Sequence, residues 1–263
     1  YKNEKLSENN NKIFIIDEPM FKILNPEWKN FVHRNRYCDE IMRGINDKRT
    51  SIVSITGIGG IGKTALATWA VLQAYEKKIF KFIVSVTAKD RELAQHGINA
   101  IFPTIATIES VLSAIFEVLG LEELKALTLN EQEKYALDLL EDSNGLLYID
   151  NLETIEDHRV INFLDSLPVG VKAITTSRRT RVKFSVFPIT VEKMSNTESL
   201  EYLKMLSKED GLIYLSKLEA SQATIIANNV DSIPLALKWC ARRCSSISEL
   251  TSLTQEIKDS GRA

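Results

Sequence analysis

Residues 57–64 read GIGGIGKT and match the pattern G-x-x-x-x-G-K-[ST]. Gly57, Gly59, Gly60 and Gly62 fall within six residues, and Lys63 and Thr64 follow at once. Glycine tolerates positive φ, so successive backbone N–H groups can turn into one concavity, and it carries no side chain to block an approaching phosphate. The chemistry this implies is polyphosphate binding. The main chain of Gly57, Gly59, Gly60, Ile61, Gly62, Lys63, Thr64 and Ala65 supplies the cradle. Lys63 reaches the β- and γ-phosphates, and the Thr64 hydroxyl coordinates Mg²⁺. By average composition the bare pattern arises by chance in roughly one chain of this length in a hundred.

Two further elements belong with such a loop. An aspartate at the end of another buried strand usually shares the Mg²⁺, and GLLYIDNLE supplies Asp150 after an apolar run. A lone aspartate after a strand usually caps a helix or starts a turn; its place some 90 residues after the glycine loop favours the metal role. The next residue is Asn151, which cannot take a proton, and the nearest carboxylate is Glu153, whose direction the sequence leaves open. The third element is AITTSRRT. It sets Arg178 just past a buried strand, at the carboxyl edge of the sheet where a guanidinium can meet a γ-phosphate. Arg179, Arg181 and Lys183 extend a basic run without interleaved aromatics, which reads as solvated surface rather than a nucleic-acid patch. His96 and His158 have no assignable role.

The elements that must position these residues are visible in the hydrophobic pattern. Short apolar runs rich in Val, Ile, Phe and Thr occur at 51–56, 80–87, 145–150, 171–177 and 186–191. None alternates with polar residues, as expected of strands buried on both faces. Helical patterns lie between them. One is KTALATWAVLQAYEKK, with Leu66, Trp69 and Ala70 at i, i+3, i+4; another carries a Thr128/Glu131 capping box. Such alternation predicts an α/β fold, a parallel sheet with helices on both faces. After about residue 194 every pattern is helical, opening with a Ser195/Glu198 capping box. The expected organisation is a linker at 1–30, a P-loop nucleotide-binding domain at 31–194 and a small all-α domain at 195–263.

The 263 residues carry a net charge of −2 and are 44% hydrophobic and 26% charged, a globular composition that gives no global signal for nucleic acid or anionic membranes. No apolar run approaches the ~18 residues of a membrane span, and no signal peptide is visible. Cys38, Cys240 and Cys244 cannot form a paired framework and read as reduced thiols of a cytoplasmic protein. The chain opens at Tyr1 and reads as a segment of a longer protein.

Taken together, the glycine loop, Asp150 and TTSR resemble the NB-ARC branch of the STAND signalling ATPases. FVHRNR (31–36) resembles the family's FVGR segment, and SIPLAL (232–237) resembles its GLPL motif. The likeness runs from about 31 to 245. His33 and Ser232 stand where that family usually has glycine. The resemblance implies that adenine lies between Val32 and Arg34 on one side and Pro234 and Leu235 on the other. It implies ATP/ADP with Mg²⁺ as cofactors, Arg178 as a γ-phosphate sensor, self-association in the ATP form, and effector and sensor domains elsewhere in the full protein. The implied function is a nucleotide-gated switch in signal transduction or antiviral defence, with slow hydrolysis as its reset. Two rival readings are an AAA+-like remodelling ATPase, against which Asn151 argues, and a nucleotide-regulated DNA-binding regulator whose DNA module lies outside these residues.

Overall fold

The structure, a computed structural model, describes residues 14–17, 20–26, 28–88, 91–94, 97–100, 107–179 and 185–261. The elements in chain order are β1 (Phe14–Asp17), β2 (Phe21–Leu24), α1 (Asn35–Asn46), β3 (Ile52–Thr56), α2 (Lys63–Glu76), β4 (Phe82–Thr87), β5 (Arg91–Ala94), β6 (Gly97–Ala100) and α3 (Ile108–Leu119). Then follow α4 (Leu129–Leu140), β7 (Gly145–Asp150), α5 (His158–Asp165), β8 (Val171–Ser177), β9 (Val186–Thr190), α6 (Asn196–Glu209), α7 (Ala220–Asn229), α8 (Pro234–Ala241) and α9 (Ile247–Asp259). The main sheet has the order β1-β2-β4-β7-β8-β3-β9. Its strands β2 to β9 run parallel and β1 pairs antiparallel with β2. Strands β5 and β6 form a separate hairpin.

Strand side chains alternate between two cores, which is why the strands read as unbroken apolar runs. Phe82, Val84, Val86, Leu147 and Ile149 point to the face covered by α3, α4 and α5 through Ile108, Leu112, Ala136 and Phe163. Ile83, Leu146, Tyr148, Val53 and Ile55 point to the other, where α1 and α2 contribute Ile41, Leu66, Ala67 and Ala70. Trp69, the middle member of the expected α2 stripe, is half-buried and stacks on Phe31 with ring centroids 5.7 Å apart. A third core, built from Leu203, Leu206, Ile226, Leu237 and Leu250, joins α6 to α9.

Both expected capping boxes form, Thr128 with Glu131 and Ser195 with Glu198. One expectation is corrected. The stretch read as linker contains β1 and β2, and Phe21 and Lys22 pair with Ile83 and Val84 at the sheet's margin. Four-residue strands carry too little local pattern to announce themselves; their stability comes from the neighbour that they pair with. Strand β9 closes the opposite margin and carries Pro188 at its centre. Cys38 and Cys240 are buried free thiols, which burial pushes up to about 11, and no helix among the described residues is long and apolar enough to cross a membrane.

Candidate functional site

Strand β3 ends at Thr56 and α2 begins at Lys63, so residues 57–62 curl between them at the carboxyl edge of the sheet. Gly60 and Gly62 take φ of +75° and +99°, the left-handed region that glycine enters without strain. Gly57 is hemmed in by the backbone: a Cβ there would lie 2.7 Å from the Val191 carbonyl oxygen. Lys63 is 7% exposed, and its Nζ donates to the Gly57 and Ile58 carbonyls at 2.9 Å each. Burial holds its pKa below the ordinary lysine value; Glu153 and Asp150 pull it back up, and Arg178 adds to the lowering.

Asp150, the last residue of β7, is fully buried. Its Oδ1 accepts from Thr64 Oγ1 at 2.8 Å, Thr176 Oγ1 at 2.7 Å and the Tyr148 hydroxyl at 3.2 Å, and its Oδ2 accepts from Thr87 Oγ1 at 3.3 Å. The sequence motif names only Asp150 and Thr64. The other hydroxyls were missed, although their signal was present: Thr87 closes β4, Thr176 stands near the end of the neighbouring β8, and Tyr148 is two residues before Asp150 on the same strand. A carboxylate beside a threonine hydroxyl is an all-oxygen donor set that suits Mg²⁺, which takes one or two protein oxygens and fills its octahedron with phosphate and water. Among the described residues no cluster of three or more His, Cys, Asp or Glu could hold a metal by itself.

The direction of Glu153, open in the sequence, follows from Asn151. Asn151 adopts φ of +60°, and its N–H donates to Thr176 Oγ1 at 2.9 Å. The 3₁₀ turn Leu152–Thr154 then carries Glu153 back to the sheet edge. Glu153 Oε1 lies 3.3 Å from Arg178 Nε, while its Oε2 is buried with no hydrogen-bond partner. Arg178 itself is 70% exposed and lies over the glycine loop, its Cζ 3.6 Å from where a Cβ on Gly59 would be. Lys63, Thr64, Asp150, Glu153 and Arg178 therefore converge on one place.

The helical segment reaches the same loop. Pro234 is buried at the first position of α8, following left-handed Asp231 and Ser232, and the Leu235 N–H donates to the Gly60 carbonyl at 3.2 Å. Val32 is half-buried. His33 is exposed and meets Phe31 and Trp69 edge-on, at 5.1 and 5.9 Å. The Arg34 side chain does not present itself to a base as the sequence resemblance implies. Its guanidinium is 4% exposed and donates to the carbonyls of Ile61, Glu192 and Lys193 and to the Glu198 carboxylate. Of the remaining candidates, His158 is the first residue of α5, Arg179 is exposed, and His96, Arg181 and Lys183 lie outside the described residues.

No protein-family model and no curated protein sequence matches the chain. Solved structures do. A STAND (Signal Transduction ATPase with Numerous Domains) protein with a tetratricopeptide repeat sensor from Pyrococcus horikoshii aligns over 88% of this chain at 18% identity with a TM-score of 0.54. The aligned part is 33% of that protein's length, so the chain spans about a third of it. A Walker-type ATPase of Pyrococcus abyssi aligns over 89% of the chain and 75% of its own at 11% identity, TM-score 0.53. Drosophila ORC bound to DNA aligns over 85% and 60% at 11% identity, TM-score 0.51. Together with the sheet order and the glycine loop, these likenesses show the α/β fold of the P-loop ATPases, followed by a small helical bundle.

Proposed function

We propose that this chain is the nucleotide-binding core of a STAND-class switch of the NB-ARC type, with ATP or ADP and Mg²⁺ as its ligands. The observation that carries the reading is the convergence at one sheet edge. There a glycine nest, the Lys63 ammonium and the Thr64–Asp150 pair at 2.8 Å meet Leu235 of the helical segment, seated on the same loop. In this reading the main sheet and its flanking helices, from β1 to about residue 194, form the nucleotide-binding domain and 195–263 a helical subdomain. The nest binds the phosphates, Thr64 and Asp150 hold the metal, and Val32, Pro234 and Leu235 offer apolar surface to the base. A metal held by the Thr64 and Asp150 oxygens would supply charge neutralisation to the bound phosphates. Arg178, exposed and over the loop, would exchange its Glu153 contact for a γ-phosphate. In the full-length protein the ATP form self-associates, and the output is a signal, for prokaryotes a defence response.

Hydrolysis in this reading is a slow reset, well below the typical ~10 s⁻¹ of enzymes. A remodelling ATPase with rapid turnover is the second reading. The observation favouring it is Glu153, whose buried, unpartnered Oε2 offers the proton acceptor that Asn151 cannot. Steady-state turnover separates the two, and several turnovers per second would favour remodelling. The binding reading is tested by calorimetry with ATP and ADP. The chain should bind both, and Lys63→Ala should abolish measurable affinity while circular dichroism stays unchanged. Wild-type affinity in that variant would refute the assignment of the loop.

A further inference from the structure

Arg34 is an expensive residue to bury. It is 4% exposed, and a guanidinium out of water needs its donors filled and its charge answered. The structure does both, with partners from three separate segments. Nη2 donates to the Glu192 and Lys193 carbonyls at 2.9 and 3.0 Å, in the connector between β9 and α6. Nη1 donates to the Ile61 carbonyl of the glycine loop at 3.4 Å. Nε donates to Glu198 Oε1 at 3.2 Å. Tyr37 braces the arrangement: its ring lies 4.7 Å from the Arg34 Cζ, and its hydroxyl accepts from the Glu192 N–H at 3.0 Å. Glu198 is also the capping residue of α6, and its other oxygen accepts from the Ser195 N–H at 2.7 Å.

The loop end of this tie has a geometric consequence. In a trans peptide the carbonyl of one residue and the N–H of the next point in opposite directions from the same rigid plane. Arg34 holds the Ile61 carbonyl, and the Leu235 N–H holds the Gly60 carbonyl. Two consecutive peptide planes are thus fixed from outside the loop, which aims the N–H groups of Ile61 and Gly62 away from Arg34 and α8. Those are donors that a phosphate nest uses. We infer that Arg34 is a positioning residue that couples the phosphate loop to the helical segment 196–259, by pinning the Ile61 peptide and the N-terminal cap of α6 with one rigid guanidinium. The inference rests on the nucleotide-binding reading above, and it gives Arg34 a role through the loop rather than through the base. Occupation of the nest and seating of α6 then favour each other, because both need the same guanidinium geometry.

The test uses the 263-residue chain with two ligands, inorganic tripolyphosphate and ATP. Two variants are needed. Arg34→Met keeps the apolar length and removes every donor. Glu198→Gln keeps a capping-box side chain and removes the charge that answers Arg34. Both should weaken tripolyphosphate and ATP by the same factor, about tenfold or more for bonds made by a charged group, and the double variant should bind no worse than the weaker single. In the wild type, tripolyphosphate should slow amide hydrogen exchange across residues 193–199; in either variant that protection should disappear. If Arg34→Met weakened ATP alone and left tripolyphosphate untouched, Arg34 would serve the base and the inference would fail. Unchanged affinity for both ligands, or protection at 193–199 that survives in the variants, would also overturn it. A wild-type chain that binds neither ligand would overturn the nucleotide reading itself, and this inference with it.

Discussion

Substituting alanine for Gly60 tests the seating of α8 on the glycine loop, and Gly62→Ala is its internal control. Both glycines hold positive φ, where an L-residue costs about 1–2 kcal/mol. Their surroundings differ. A Cβ on Gly62 meets nothing within 4 Å, whereas one on Gly60 lies 2.6 Å from Leu235 Cβ and 3.0 Å from its Cδ2. Leu235 Cβ is fixed to the backbone of α8, so relief requires the helix or the loop to move, and overpacking of this kind costs about 1–3 kcal/mol. Gly62→Ala should therefore lower the unfolding free energy by about 1–2 kcal/mol, and Gly60→Ala by about 2–5 kcal/mol. The excess at Gly60 should vanish in a Leu235→Gly background, leaving only the backbone term of about 1–2 kcal/mol. Urea unfolding of the two alanine variants, Leu235→Gly and the double variant closes the cycle. Equal losses at Gly60 and Gly62, or an excess that persists without the Leu235 side chain, would refute the contact and the seating of α8 built on it.

Three further outcomes follow from the same geometry. Asp150→Ala removes the acceptor of Thr64, Thr87, Thr176 and Tyr148; calorimetry with and without a chelator should show a larger loss for ATP with Mg²⁺ than for ADP without it. Pro234→Ala should weaken ATP and ADP more than inorganic triphosphate, since only the nucleotides have a base to lose; equal losses would assign Pro234 to the fold alone. At acid pH, Asp210 matters: burial pushes its carboxyl up, but the Arg242 hydrogen bond, with the charges of Lys238 and Arg242, more than offsets this and holds the pKa below its ordinary 3.8. Its contribution is therefore present above 3.8 and lost as pH falls through the folded value, so Asp210→Asn should flatten that acid limb in unfolding curves measured at several pH values.

The sequence made some of this legible because local chemistry specified it. The glycine loop, the strands at 145–150 and 171–177 and the capping residues Thr128 and Ser195 each have a pattern that needs no partner to be recognised. What escaped depended on partners distant in sequence. Strands β1 and β2 exist through pairing along the sheet margin. The path of Glu153 depended on Asn151 entering a left-handed conformation, which asparagine permits and no motif announces. Arg34 was assigned toward a base because its neighbours resemble a known segment; its bonds to residues 61, 192, 193 and 198 have no trace in the local sequence.

The proline at the centre of β9 bears on how this sheet margin resists strand pairing. Ser185 accepts from the Ile52 N–H and the Val191 N–H donates to Thr56, so the odd-numbered residues of this strand bond inward to β3. With a period of two, residue 188 faces outward along the sheet's exposed margin. Pro188 has no N–H to offer there, and a five-residue strand missing its central outward donor gives a foreign chain only a broken ladder to extend. Replacing it with valine would restore the donor and raise β propensity together, turning a blunt margin into a template for aggregation.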